Sequence, residues 1–309
     1  MMNESGVVVI GSMTADVTAK ANLLPRRGET VLGEEFTLVS GGKGSNQAAM
    51  SSRMGVKTWM VGCVGADAFK SVVLNSLHSH GVMTEFVEQL EDQKTGVAHI
   101  RVDSSGNNDI VIVPMANTQT NPDRVDRFFS TNPSVNTLLL QLEIPVPTVL
   151  YAAKVAKEKG LTVIFDPAPA APFPDELYQW VDIVTPNETE ASALTGVEVI
   201  DIKTAEQAAS VLLEKGVNLV IITLAENGVL IADNDSVTHL SAFKVNVVDT
   251  TAAGDAFTGT LGACISEGKS IEESVQFAMA AGALAVTKIG AQTSLPTKEE
   301  VISLMNGGI

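Results

Sequence analysis

The sequence predicts an α/β protein: a mostly parallel central sheet flanked by helices on both faces, with a second, small β-sheet beside it. Three observations predict it. Short β-branched runs recur along the chain, helical patterns fill the intervals between them, and two extended stretches break that alternation. Connections between elements are short, so neither a flexible linker nor an internal repeat is visible.

The strand candidates, in order, are "GVVVIG" (6–11), "KTWMVG" (57–62), "NTLLLQL" (136–142), "LTVIFD" (161–166), "DIVT" (182–185) and "NLVIITL" (218–224). A further strand is read in "FKVNVVD" (243–249), followed by a tight turn, "TTAAG", and a helix marked on one face by Phe257, Leu261, Cys264 and Ile265. Between strands, "PTVLYAAKVAKEKG" (147–160) carries an early proline and a terminal glycine, the punctuation of a crossover helix. Capping boxes are expected at Thr204 to Gln207, Ser270 to Glu273 and Thr297 to Glu300. The interrupting stretches are "GETVLGEEFTLVS" (28–40) and "TGVAHIRVDSSGNNDIVIVPM" (95–115), the second a hairpin turning at "SSGNN". Extended inserts in an α/β core read either as a lid that excludes water or as a dimerisation sheet, and one sheet can serve both purposes.

Composition narrows the function. The chain has 309 residues, 45% of them apolar, enough for a sizeable core. Its 20 Lys and Arg against 36 Asp and Glu give a net charge of −16, which disfavours nucleic acid and anionic membrane surfaces as partners. An anionic ligand must therefore be held by local features. Two cysteines, Cys63 and Cys264, both in apolar stretches, argue against a disulfide framework and for a reducing, cytoplasmic setting. The start, "MMNESGVVVIGS", has no basic segment followed by an apolar block, so a soluble, unexported protein is expected.

Two stretches carry chemistry. In "TTAAGDAF" the carboxylate of Asp255 stands at the start of a helix, where the unpaired N–H groups of Ala252, Ala253, Gly254 and Asp255 would face outward and receive an anion. The plainer reading makes Asp255 an N-cap and the turn a packing device. In "SGGKGSNQAAM" (40–50), Gly41, Gly42 and Gly44 would let backbone approach a ligand, while Lys43 and Asn46 offer donors for hydroxyl groups. A plain turn before a helix fits as well. Neither stretch is a Walker A loop, and "VVVIGSMTAD" lacks the dinucleotide-binding glycine pattern, which disfavours a dehydrogenase.

Taken together, "GGKGSNQA" and "DTTAAGDAF" resemble the two signature regions of the ribokinase (PfkB-type carbohydrate kinase) family. The resemblance runs the length of the chain, through "VGCVGADAF", "KTGVAHI", "QLEIP", "DPAPA", "TPNETEA" and "GAQTSLPT" in the family's order. It implies a ribokinase-like fold with an α/β domain over 1–12, 41–93 and 118–309 and a lid over 13–40 and 94–117. It also implies transfer of the γ-phosphate of ATP to a sugar hydroxyl, D-ribose giving D-ribose 5-phosphate, with Asp255 as the base and the amides of Ala252, Ala253 and Gly254 at the phosphoryl group. Sugar contacts map onto Asp16, Gly42, Lys43, Asn46, Glu143 and Asp255. Taken alone, Asp16 could cap a turn, Asn46 the next helix, and Glu143 could be a surface charge.

For the nucleotide, the resemblance points to Asn187, Glu190, Thr223, Ala225, Gly228, Gly254 and Met279, with Asn187 and Glu190 helping to organise Mg²⁺; the same pair also fits a helix cap. A K⁺ site is implied at Asp249 and Ser294 side chains and at the carbonyls of Thr251, Ala285, Lys288 and Gly290, with the Lys288 ammonium as an alternative occupant. A homodimer through the lid sheets is the family's expectation. Four positions depart from the common ribokinase pattern: Thr14 and Asp166, where Asn is usual, and Met115 and Ala225, where Gly is usual. Thr14 and Met115 bear on the sugar site, and Ala225 on the nucleotide if that position needs a positive φ. Kinases of a deoxysugar, a ketohexose or a nucleoside are the same-fold alternatives; a sugar-binding sensor that has lost catalysis is the alternative of a different class.

Overall fold

The structure, a computed structural model, describes residues 6–131 and 133–308. The expectation for the first five residues lies outside these. In chain order the first strands are β1 (Val7–Ile10), β2 (Thr14–Ala21), β3 (Gly33–Gly41), β4 (Thr58–Gly65), β5 (Met83–Leu90), β6 (Gly96–Val102) and β7 (Asn108–Val113). They continue with β8 (Thr137–Leu140), β9 (Thr162–Phe165), β10 (Ile183–Val184), β11 (Leu219–Thr223), β12 (Val229–Ala232) and β13 (Val237–Leu240). The helices are α1 (Lys43–Arg53), α2 (Ala68–Ser79), α3 (Pro122–Ser130), α4 (Val146–Glu158), α5 (Glu188–Thr195), α6 (Ile202–Glu214), α7 (Ala253–Ser266), α8 (Ile271–Ala285) and α9 (Lys298–Met305).

Nine strands form one sheet in the order β13-β12-β11-β10-β9-β8-β1-β4-β5, parallel except for β12 and β13. Each of the six expected runs from "GVVVIG" to "NLVIITL" supplies one of its strands. Alternation along β1 divides the core: Val7 and Val9 face the layer of α1, α2, α7, α8 and α9, while Val8 and Ile10 face that of α3, α4 and α6. A separate four-stranded sheet, β3-β2-β6-β7, comes from the two interrupting stretches together with β2. The β6–β7 hairpin turns where expected, with the Asp103 carboxylate accepting from the amides of Ser105 and Asn107.

Four local expectations are corrected. Segment 243–249 is not a strand and joins neither sheet; Val247 and Val248 are exposed and the Val248 amide donates to the Val286 carbonyl. Thr204 is not an N-cap: α6 begins earlier, with Asp201 capping and its amide donating to the Thr204 hydroxyl oxygen. Ser270 caps α8 without the reciprocal bond from Glu273, whereas Thr297 and Glu300 form the full box. Helix α7 buries more than one face; from Asp255 to Cys264 every residue is buried. Glycines make that possible, since a Cβ at Gly259 would strike the Gln47 backbone of α1, and one at Gly262 would strike Leu139 of β8.

In the large sheet the chain leaves β1 toward β4 on one side and returns as β8 on the other. The carboxyl ends of β1 and β8 therefore border the crevice at which open α/β sheets receive ligands.

Candidate functional site

Five segments converge on that crevice. Beyond β1 come Gly11 and Ser12, beyond β8 Gln141 and Glu143, and beyond β9 Asp166; the amino end of α1 brings Lys43, Asn46 and Gln47, and that of α7 brings Asp255. Close approach of α1 to β1 depends on Gly44, where a Cβ would collide with the Gly11 and Ser12 backbone. Gly42, the N-cap of α1, has φ 90°, a conformation open to glycine.

Side chains bridge the crevice. Ser12 Oγ donates to Glu143 Oε2 at 2.5 Å, and the Lys43 amide donates to the same oxygen at 3.0 Å. Asn46 Nδ2 donates to Asp255 Oδ2 at 2.8 Å, leaving Asn46 Oδ1 buried without a protein partner. Thr14 Oγ1 donates to Asp16 Oδ1 at 2.7 Å, and Asp16 is only 8% exposed. Each plainer alternative fails on these contacts: Asn46 lies inside α1 instead of capping it, Asp16 belongs to β2, and Glu143 is half-buried. Asp255 is not the N-cap either; it is the third residue of α7, behind Ala252, which caps with φ 60°. Of the four amides expected to face outward, that of Ala253 turns back to the Thr250 carbonyl at 3.3 Å. Gly254 is exposed, and an added Cβ there would meet nothing within 4 Å.

The electrostatics follow from gathering carboxylates in a crevice. Burial, with the charges of Glu143 and Asp255 adding to it, pushes the Asp16 carboxyl up to about 6 against the opposing Thr14 bond. Asp166, buried and close to Glu190, Asp255 and Glu143, is raised well above the ordinary carboxylate range despite Lys43 nearby. Glu190 is raised as well, by desolvation first, against the Asn187 amide and Lys43. Burial pushes the Lys43 ammonium down, but Asp255, Asp166, Glu143 and Glu190 together hold it above its ordinary value. Lys43 is thus the common cation of four carboxylates.

On the other side of Asp255, Asn187 and Glu190 form a reciprocal cap at the start of α5, with Asn187 paired to Thr223 as an isolated bridge. Ala225 has φ 46° at the head of the turn that follows β11, and Gly228, with φ 93°, closes that turn against the Leu240 carbonyl. Met279 on α8 is 8% exposed and packs in the core. Asp249 receives the Thr251 amide and hydroxyl on Oδ1 and the Gly290 amide on Oδ2, so two segments 41 residues apart are tied together. Burial opposes its charge, yet those bonds keep it below the usual carboxylate range. Ser294 is fully buried, and the Ala285 carbonyl accepts from the Lys288 amide. The Lys288 ammonium is not at this site: Nζ pairs with Glu300 at 2.9 Å, which corrects the alternative of a lysine occupant.

Ser12, Gln47 and Gln141 were not expected at the site. The available signal was polar residues in apolar surroundings: Gln141 directly follows the run "TLLL", and Gln47 follows Asn46 in a helix otherwise rich in small residues. A cavity of 480 Å³ opens beside Ser12, Thr14, Asn117 and Glu143, under Ile112 of β7. A larger hollow of 750 Å³, between segment 244–248, α8 and α9, contains none of the expected sugar groups. Among the described residues no helix is long and apolar enough to cross a membrane.

The sequence pattern of the pfkB family carbohydrate kinases matches residues 4–298. The chain is 38% identical to the ribokinase of Haemophilus influenzae over 299 residues, covering 97% of this chain and 98% of that one. It is 36% identical to the deoxyribokinase of Salmonella typhi over 295 residues, covering 95% and 96%. Among solved structures, Arabidopsis thaliana ribokinase complexed with ribose and ATP superposes with a TM-score of 0.89 at 33% identity, over 97% of this chain and 98% of that one.

Proposed function

The chain belongs to the pfkB family of carbohydrate kinases, and from that premise we propose that it transfers the γ-phosphate of ATP to D-ribose, giving D-ribose 5-phosphate. The observation that carries this reading is Asp255 at the head of α7: a carboxylate held by Asn46, beside an exposed Gly254 with open space above it. Such an arrangement meets both needs of phosphoryl transfer. The carboxylate accepts the proton of the attacking hydroxyl, and helix-terminal amides with the Lys43 charge stabilise the phosphoryl oxygens. Asp16, Gly42, Lys43, Asn46 and Glu143 would grip the sugar hydroxyls, with the orphan Asn46 Oδ1 as a ready acceptor. The four-stranded sheet, over 13–40 and 94–117, would act as the lid; Ile112 of that sheet lines the cavity.

Asn187, Thr223, Ala225, Gly228, Gly254 and Met279 would take the nucleotide. Mg²⁺ fits a water-bridged role near Glu190, because among the described residues no group of three or more acidic, His or Cys side chains is placed to hold a metal, and Mg²⁺ commonly relies on substrate phosphates. Bound there, it would neutralise charge on the phosphates. The donor set around Asp249 and Ser294 is all oxygen, with an ionised carboxylate, and fits K⁺. The exposed Leu32, Phe36 and Ile110 to Val113 on the small sheet suit a homodimer formed through the lids, and the two buried thiols suit a reducing cytoplasm.

One observation favours a second reading, 2-deoxyribose. Thr14 already occupies one oxygen of Asp16, the carboxylate expected to read the 2-hydroxyl. Coupled ADP release measured over pentoses, hexoses, deoxysugars and nucleosides tests both readings. Ribose is expected to lead; a site built on that hydrogen bond would disfavour 2-deoxyribose by up to about 10⁴-fold. Equal efficiency for the two sugars would refute Asp16 as the reader of the 2-hydroxyl, and no sugar-dependent ADP would leave a binding sensor.

A further inference from the structure

Two glutamines lie behind the carboxylate proposed as the base, and that reading gives them nothing to do. Gln47 and Gln141 are both fully buried, in positions where methionine or leucine would pack without polar cost. Gln141 Oε1 has no partner, and it fits against the backbone only because residue 11 is a glycine, whose Cβ would otherwise strike it. A half-satisfied pair of buried amides is a poor device for stability. Its bonds point to another purpose. Gln141 Nε2 donates to Gln47 Oε1 at 2.6 Å. Gln47 Nε2, so oriented, donates to Asp166 Oδ2 at 2.8 Å and to Asp255 Oδ1 at 3.4 Å.

The orientation follows from the bonds. Gln47 turns its NH₂ to the carboxyl groups of Asp166 and Asp255 and its carbonyl oxygen back to Gln141, just beyond β8. Gln141 can then serve Gln47 only as a donor. Asn46, its neighbour on α1, holds the other oxygen of Asp255. Successive residues of one helix thus take the two oxygens of a single carboxylate, one on each, and leave its plane no free rotation.

We propose that Gln47 is a positioning residue for Asp255: locked by Gln141 and anchored on Asp166, it fixes the carboxylate plane in the orientation from which a sugar hydroxyl is deprotonated. This rests on the kinase reading above. Fixing a reacting group within a narrow range of angles is worth orders of magnitude in rate, without requiring any contact between Gln47 and substrate. Asp166 and Asp255 share the two N–H groups of one nitrogen, and the longer of the two bonds is the one to Asp255.

The test uses Gln47→Met, which keeps length and removes the donor, and Gln141→Met, which removes only the lock. Single-turnover phosphoryl transfer is followed alongside steady-state KM for sugar and for ATP, with thermal melting as the folding control. Gln47→Met is expected to slow the transfer step about 10- to 100-fold while both KM values stay within about 3-fold, and Gln141→Met to slow it about 3- to 10-fold. In the double variant, Gln141→Met should add almost nothing to Gln47→Met, because the lock has nothing left to hold. Gln47→Glu keeps shape but sets a third carboxylate against the pair, and should be slower than Gln47→Met. An unchanged transfer rate in Gln47→Met would overturn the proposal, and so would additive slowing by the two substitutions. Rates that fall in step with the folded fraction would overturn it too. Sugar-dependent ADP release by the unaltered protein tests the kinase reading by itself; the ratios of variants to it test this one.

Discussion

The two sides of Asp255 are built from different materials. On the side proposed for the sugar, side chains bond one another: Ser12 with Glu143, Thr14 with Asp16, Asn46 and Gln47 with Asp255. On the side proposed for the nucleotide and the cation, the contacts are backbone amides, caps and turns, and much of the surface is exposed, from Ala225 through segment 244–248 to Thr251 and Gly254. Every sugar offers hydroxyls, so a sugar site gains selectivity by fixing where each donor and acceptor stands. Triphosphate presents charge that helix ends and loops can follow, so backbone suffices. The difference predicts a rigid reader of sugars joined to an adaptable holder of ATP.

Asp255→Asn strikes the boundary and should have the largest effect. Turnover is expected to fall about 10³-fold or more, the upper range for loss of a general base, while ATP affinity measured by titration calorimetry changes little. A matching loss of ATP affinity would break the division, because the carboxylate would then belong to both halves.

Asp16→Asn comes next and concerns the sugar half alone. With its folded carboxyl near 6 against an ordinary 3.8, Asp16 in the native state keeps a proton that the unfolded chain releases between those values. The native state binds more protons in that window, so stability falls as pH rises through it and stays lower above it. Asn removes the penalty. Above pH 6 the variant should be more stable than the parent by at most about 3 kcal/mol, and the advantage should vanish below about pH 4. Urea unfolding across that range checks it; a difference independent of pH would mean that the carboxyl is not held proton-rich. The same variant should lose sugar efficiency, the exchange of stability for function expected where polar groups are buried for a ligand.

The legibility of the chain follows the same division. Strand runs and the crossover helix were visible because period and punctuation are local signals, and the family resemblance singled out Asp255, Lys43, Asn46 and Glu143, which the fold gathers at one crevice. Segment 243–249 misled because β-branched residues describe a propensity to pair, and tertiary context overrode it: the Val248 and Asp249 amides both donate to the Val286 carbonyl beyond α8. Thr204 misled because a Thr-x-x-Gln spacing recurs inside a helix that Asp201 had already capped. Gln47, Gln141 and Ser12 stayed hidden for a different reason. Their roles depend on partners 94 to 208 positions away, and nothing in a local window distinguishes a buried amide that holds a carboxylate from one exposed on a helix.

Ala225 offers the finest test, and it belongs to the nucleotide half. At φ 46° its Cβ is crowded against its own backbone, at a position where ribokinases commonly carry glycine. Gly228 closes the same turn at a positive φ, with the Leu240 carbonyl against it, so the turn has little room to relax. Left-handed backbone costs a residue with a Cβ roughly 1–2 kcal/mol. Glycine would relieve that cost but add roughly 0.5–1 kcal/mol of unfolded-chain entropy. Ala225→Gly should therefore stabilise the protein by about 0.5–1 kcal/mol in urea unfolding, against the usual loss for this substitution. If the turn already holds its ATP-binding shape, KM for ATP should stay within about 2-fold and KM for sugar should not move. Destabilisation by a similar amount would show that the turn yields to its alanine, and an adaptable nucleotide half would then extend into the fold as far as β11.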